Sequence, residues 1–527
     1  MLGLLLGFTA CDIDRIPETQ LADPSFWRSE SDLKSATNYL YTFLPGPTTE
    51  DTWSDDAFGV AANNISDGSR QAPATANADY NDPYRIIRAA NNIMEKALIV
   101  PAAPAVQNRY IAEARFFRAW AYVQLLQRYG NVPLIMKPLQ NNSPELTAAP
   151  APRAEVLEAI YQDLDYAAAT LPTPTALASA DYGRITNTAA MALKARIALF
   201  EGTRSKFHNY GEPVKHLTIA RETAKAVMDS RQHDLFANYF NLFQYAGEGR
   251  QNRENILVKQ FGINHTNNVV NHNFSRNVET GALNGTKSLV DSYLMKDGLP
   301  ITQSPTHQTP TASAEVYTGR DDRLAATFFK RGDPYTSATT TYTIPPLQFQ
   351  RTGFGTRKYF ERNDWVNSRS FIDRPIIRYA EILLIYAEAT FELQGNISDA
   401  DLELTINPLR QRVGVAMLTN SFVTANNLDM REEIRRERRV ELAMEGFRYW
   451  DLIRWKTAEI ELPKPVLGMY YFRNEFPSTV AVQLDPEGYL LLQGAQFRRF
   501  DPSRDYLWPL PINEGALNPN LGQNPNW

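Results

Sequence analysis

Cysteine is almost absent: the 527 residues hold one, Cys11. A lone thiol excludes an internal disulfide, a cysteine zinc site and a CxxC redox pair. Charge of one sign is also lacking. Lys and Arg number 54 against 59 Asp and Glu, a formal net charge of -5. That balance argues against nucleic acid as a partner, which needs a clustered basic surface. Histidine is scarce, with His208, His216, His233, His265, His272 and His307. None forms HxH or HExxH, so no metal site or other cofactor is expected, and His265 and His272 read as a solvated loop pair. No GxSxG, P-loop or complete GxGxxG occurs; Gly353-Phe354-Gly355 is a fragment. Past the N-terminus no run of ~18 apolar residues is found, so nothing there reads as a membrane span.

Aromatic side chains, in contrast, are plentiful: 25 Tyr, 26 Phe and 8 Trp. Core filling accounts for many of them, and others are available for a recognition surface. Met1 to Ala10, MLGLLLGFTA, is a hydrophobic run far short of a bilayer span. It ends in Phe8-Thr9-Ala10-Cys11, small residues before a cysteine, like a bacterial lipobox. Residues 1–10 are therefore expected to be a signal remnant and Cys11 the site of lipidation, which would hold a soluble domain at a membrane surface. No Lys or Arg precedes Cys11, so the usual basic opening of such a signal is missing.

Helical periodicity dominates the rest. In Gln107–Tyr129 the residues Tyr110, Ala114, Phe117, Ala121 and Leu125 recur at three- and four-residue steps. Val156, Ile160, Leu164 and Ala168 do so in Arg153–Leu171. Ser31–Leu44, Pro83–Leu98, Asn187–Glu201 and Val214–Ser230 also read as helices. Pro375–Gly395 is apolar almost all round and belongs inside a bundle, where Glu381 and Glu388 need arginine partners. Leu428–Trp455 reads as one long charged helix. Three segments place Ala, then bulky apolar residues, then a terminal Gly (Gly130, Gly202, Gly395), which suits helix caps and suggests tetratricopeptide-like pairs. Between about 236 and 374 periodicity fades and Gly, Asn, Thr, Ser and Pro rise among many aromatics. The expected fold is mainly α: helix pairs forming a scaffold, with a loop-rich irregular ligand-binding face. Residues 11–527 are expected to form one domain, with its scaffold mainly at 31–235 and 375–455, the loop-rich segment at 236–374 and an extended tail at 456–527.

Asp297-Gly298-Leu299-Pro300-Ile301 reads as a "DG.PI" turn and Asp321-Asp322-Arg323-Leu324 as a "DPRL"-like element. With the later segments they resemble the SusD/RagB family from end to end. Arg374–Ala389 resembles its most recognisable helix, and Ile406–Arg412 its "IN.VR.R" helix. Glu433–Trp455, Tyr506–Ile512 and Leu521–Trp527 resemble its later consensus, with Asn526 where Gly is usual. The resemblance implies a SusD-like, non-enzymatic lipoprotein of the cell outer membrane, facing the cell surface. It would bind a nutrient, most simply an oligosaccharide, and deliver it to a SusC-like TonB-dependent transporter. A peptide-binding RagB-type role is the alternative, and a helical glycoside hydrolase a more distant one. Arg435, Arg436, Glu437, Arg438, Arg439, Glu441 and Glu445 read as a structural ion-pair lattice, not as the site.

A sugar-binding site needs an exposed ring to stack on a pyranose's C–H face, and amides or charged groups to take its hydroxyls. Two loop regions carry that combination. Residues 51–81 contribute Trp53, Asn63, Asn64, Asp67 and Tyr80. Residues 335–367 contribute Tyr359, Asn363 and Trp365. These are the candidate ligand contacts; no catalytic residue is expected.

Overall fold

The computed structural model describes residues 26–262, 270–337, 339–476 and 480–527. Cys11, the segment before it and His265 lie outside them. The scaffold is built from α1 (Glu30–Tyr41), α2 (Ala78–Ala97), α3 (Pro104–Tyr129), α4 (Arg153–Thr170), α5 (Asn187–His208), α6 (Pro213–Asp229) and α7 (Tyr379–Gln394). From α2 to α7 each packs on the next, the neighbour-to-neighbour stacking of a tetratricopeptide-like array. Its core includes Phe116, Phe117, Leu125, Ile160, Leu193 and Ile385, all fully buried.

Gly130 and Gly395 cap α3 and α7, both at positive φ as expected. Gly202 is not a cap: α5 runs past it to His208. A Cβ at Gly202 would lie 2.8 Å from the Leu217 backbone nitrogen. The missing side chain lets α5 and α6 approach, and that packing outweighs the ~1 kcal/mol helical cost of Gly.

Two helix expectations change. In Pro375–Gly395 the first residues form a strand, β4 (Arg374–Arg378), antiparallel to β2 (Asn255–Lys259) with Arg374 opposite Lys259. Pro375 disfavours helix before it, and the β-branched Ile376 and Ile377 suit a pleat. The segment Leu428–Trp455 is not one helix but two, α8 (Met430–Glu441) and α9 (Arg448–Arg454). The chain turns between them with Met444 and Gly446 at positive φ. An outside contact holds the turn: the Gly446 N–H donates to Asp51 Oδ2 at 2.9 Å.

The charged residues of α8 do form the expected lattice. Arg323 donates to Asp321, Glu437 and Glu441; Arg410 to Glu433 and Glu437; Arg412 to Glu254 and Glu441. Arg378 reaches Glu254, Glu441 and Glu445, and Lys358 reaches Glu445. Burial alone would raise the Glu441 carboxyl, but the Arg412, Arg378 and Arg323 guanidiniums hold it well below the usual range. Glu381 and Glu388 find their arginines, Arg196 at 2.6 Å and Arg454 at 2.5 Å.

The loop-rich segment folds over α8 with its own core of Phe243, Tyr293, Phe328, Phe329 and Tyr359, closed by Val440 and Met444. The tail is more than extended chain. Its β5 (Val466–Tyr470) and β6 (Tyr489–Gln493) form an antiparallel hairpin, and Trp508 returns to the scaffold core.

Candidate functional site

The first predicted loop region forms a minimal ladder with a third segment, which in turn bridges the second region through Asn284 and Gly355. β1 (Ala57–Phe58) pairs antiparallel with β3 (Asn284–Gly285), Ala57 opposite Gly285. The chain leaving β1 thereby runs beside the segment entering β3, and Ala282 O would be 3.4 Å from a Cβ at Gly59. Gly281, at φ 84, lies under the next loop; a Cβ there would sit 2.1 Å from the Phe349 carbonyl oxygen. Arg351 Nη1 then donates to Val60 O at 3.1 Å.

At the far end, the short helix Phe274–Glu279 holds the one at Arg362–Asn367. Arg276 Nε donates to Trp365 O at 2.7 Å, and its guanidinium lies 3.9 Å from the Trp365 ring centroid. Trp365 Nε1 donates to Glu279 at 3.3 Å. These contacts set Val60 beside Arg351, the Phe349 backbone beside Gly281, and Trp365 beside Arg276 of the helix that leads to Gly281; with the exposed Asn64 and Asn363 they outline one candidate ridge. Val60 is 64% exposed and Phe349 43%; Asn64 and Asn363 are exposed and Trp365 partly so.

The base of the ridge is clamped from below. Arg439 pairs with Asp55 at 2.9 Å and Asp56 at 2.6 Å, and Arg448 with Asp55 at 2.8 Å. Burial would raise the Asp55 carboxyl; Arg439 and Arg448 outweigh it and hold it far below the carboxylate range.

The other predicted residues lie elsewhere or face differently. Tyr359 is a correction: its ring is 2% exposed and packs edge-on against Phe243 and Phe274, so it offers a ligand nothing. The aromatic-rich sequence around it is shared between ridge and core. Trp53 is partly buried in a cluster, its ring centroid 5.3 Å from Trp508, 6.0 Å from Tyr449 and 6.5 Å from Trp450. Asn63 Oδ1 accepts from Ile65 N–H, and Asp67 accepts from Ser69 N–H and Gln493 Nε2, so both organise the ridge loop. Tyr80, 6% exposed, is apart from the ridge. With Tyr84 it lines an open groove of about 510 Å³ between α2, the 133–147 loop and the C-terminal residues Glu514–Leu521. His272 is held rather than solvated: Nε2–H donates to Ile372 O, and Nδ1 accepts from Phe274 N–H.

Phe349 and Arg351 were not singled out from sequence. The signal available was a ring between two Gln residues, Gln348 and Gln350, inside a Gly- and Pro-rich loop.

Fold and site define a class: a tetratricopeptide-like helical scaffold presenting a face built from loops. A family model described as the SusD family matches residues 243–527, more than half of the chain. The chain belongs to the SusD family. A second model, described as starch-binding and associating with outer membrane, matches residues 34–199. A SusD-like protein of Bacteroides ovatus is 26% identical across 99% of this chain and 96% of its own. A SusD-like protein of Formosa agariphila is 26% identical across 88% of this chain and 90% of its own. A crystal structure described as a SusD-like carbohydrate binding protein from Bacteroides fragilis matches with a TM-score of 0.78 and 26% identity, over 94% of this chain and 100% of that one. A surface glycan-binding protein A from Bacteroides fluxus shares the fold, with a TM-score of 0.65 at 19% identity, over 95% of this chain and 100% of its own. Among the described residues no helix is long and apolar enough to cross a membrane.

Proposed function

We propose that this chain binds an oligosaccharide along the ridge at the cell surface, without cleaving it, and hands it to a SusC-like TonB-dependent transporter. Acyl chains on Cys11 hold it at the outer membrane. The observation that carries the reading is the link between two separately predicted loop regions, through the Arg351–Val60 hydrogen bond and the Asn284–Gly355 bridge beside β1, which sets exposed rings, amides and guanidiniums along one strip. Such a strip suits a chain of pyranoses: Phe349 and Trp365 offer ring surface, and Asn64, Asn363 and Arg351 offer hydroxyl partners. Binding rather than hydrolysis is favoured by the ridge carboxylates. Glu361 accepts from the Asn363 and Asp364 N–H groups and Glu279 from Trp365, so neither stands as a free acid–base pair.

Calorimetry of the purified protein against a glycan panel tests this. Heat from at least one glycan is expected, with no new reducing ends. Trp365→Ala and Phe349→Ala should each weaken binding about tenfold or more, the effect of losing an aromatic anchor, while the protein stays folded with a melting temperature at most a few degrees lower. Heat from peptides and from no glycan would replace the sugar reading by the peptide-binding one. Loss of binding on Tyr80→Ala but not Trp365→Ala would move the site to the groove.

A further inference from the structure

The ridge's charges are unevenly used. Its carboxylates are engaged by local donors: Asp67 by Ser69 and Gln493, Glu279 by Trp365, Glu361 by two backbone N–H groups, and Asp364 by Tyr245 and Ser370. Its arginines also meet only neutral partners, and each spends at most one of its five guanidinium N–H groups on them. Among the described residues, Arg276 donates only to a backbone carbonyl and stacks on Trp365. Among them too, Arg351 donates only to the Val60 carbonyl and lies over the Phe58 ring. Arg369, exposed beside the Trp365 helix, makes no side-chain hydrogen bond or ion pair among the described residues. This contrasts with the interior, where arginine after arginine is paired to a carboxylate, and with a chain whose net charge is -5.

What the ridge leaves unsatisfied is therefore cationic donor capacity, set beside exposed ring surface. Guanidinium forks match planar or tetrahedral oxyanions better than single hydroxyls, because two parallel N–H groups meet two oxygens. Resting on the reading of the ridge as the glycan site, we infer that its ligand is an acidic oligosaccharide, bearing carboxylate or sulfate groups. Arg276 and Arg351 take the anionic groups, and Trp365 and Phe349 take the ring faces between them. Arg369 raises the local concentration of an anionic chain by its field.

The test uses two matched pairs of probes on the full-length protein: oligogalacturonate with its carboxyl-reduced form, and a sulfated oligosaccharide with its desulfated form. The acidic member of at least one pair should bind about tenfold tighter than its neutral partner, and its affinity should fall as NaCl rises from 50 mM to 500 mM. Arg351→Gln and Arg276→Gln should each remove most of that preference. Arg369→Gln, which breaks no contact of the fold, should flatten the salt dependence and leave the preference at high salt unchanged; an unaltered salt dependence overturns the part given to Arg369. Equal affinity within both pairs, or no binding of any of the four probes, overturns the inference. If a neutral glycan binds as tightly as its acidic partner or tighter, and Trp365→Ala abolishes it, the acidic-ligand inference falls while the ridge stands. If an acidic probe binds and neither Trp365→Ala nor the arginine variants matter, the ridge itself is wrong.

Discussion

Replacing Trp53 by Ala separates packing from recognition. The ring lies among Trp508, Tyr449 and Trp450 at centroid distances of 5.3, 6.0 and 6.5 Å, and next to it Arg70 lies 3.5 Å from the Trp508 centroid. Truncating a fully buried Trp costs ~3–5 kcal/mol, so a partly buried one belongs near ~3 kcal/mol. Unfolding entropy near ~2.1 cal/mol/K per residue gives a chain of this size about 1.1 kcal/mol/K, so Trp53→Ala should lower the melting temperature by about 3 °C. Scanning calorimetry reads that shift, and titration of the same sample reads glycan affinity. The expected result is the lowered transition with affinity unchanged within about twofold. An unmoved transition with affinity down tenfold would refute the assignment of Trp53 to the cluster and return it to the ligand.

Glu441→Gln removes the anion that accepts from Arg323 at 2.9 Å, Arg378 at 2.6 Å and Arg412 at 2.5 Å. Urea unfolding followed by Trp fluorescence should show a loss of about 3–5 kcal/mol, the cost of breaking a buried pair, and a loss below ~1 kcal/mol would show the lattice to be compensated from elsewhere. Because the folded pKa of Glu441 is depressed, its contribution is full above the unfolded value near ~4.3 and declines as pH falls below it, so variant and parent should converge in acid. Asp51 behaves oppositely. Burial, with the nearby Asp56 charge, pushes its carboxyl up to about 8, and its Oδ1 has no hydrogen-bond partner. Its stabilising effect is present below the unfolded pKa and lost as pH rises, so Asp51→Asn should gain stability over the parent between pH 4 and pH 8 and hold the gain above that. A gap that stays flat with pH across that window would contradict the buried-acid assignment.

The scaffold was legible because its helices repeat apolar residues at helical spacing and because Glu381 and Glu388, set in apolar surroundings, demanded the arginines they have. What escaped was decided by partners distant in sequence. The break after Glu441 leaves no mark in a run that stays charged and helix-prone; it depends on Asp51 accepting from Gly446. The strand hidden in Arg374–Arg378 exists because β2 lies alongside it. The same limit governs the site. Tyr359 and Trp365 occupy neighbouring loop positions of similar composition, yet one ring is enclosed by Phe243 and Phe274 while the other lies at the surface under Arg276. Sequence located the loops, and only the fold assigned their inward and outward faces.

The ionic clamp at Asp55 and Asp56 has a consequence for variation. Arg439 of α8 and Arg448 of α9 grip the chain three residues before Gly59, where the proposed recognition loop begins. Beyond that anchor, residues 59–64 touch the remainder mainly through backbone groups such as the Val60 carbonyl. Apart from Asn63, whose Oδ1 shapes the loop by accepting from the Ile65 N–H, their side chains are thus free to be exchanged, lengthened or recharged with little effect on the helices beneath, so new ligand preferences can arise by rewriting a few exposed positions on an unchanged frame.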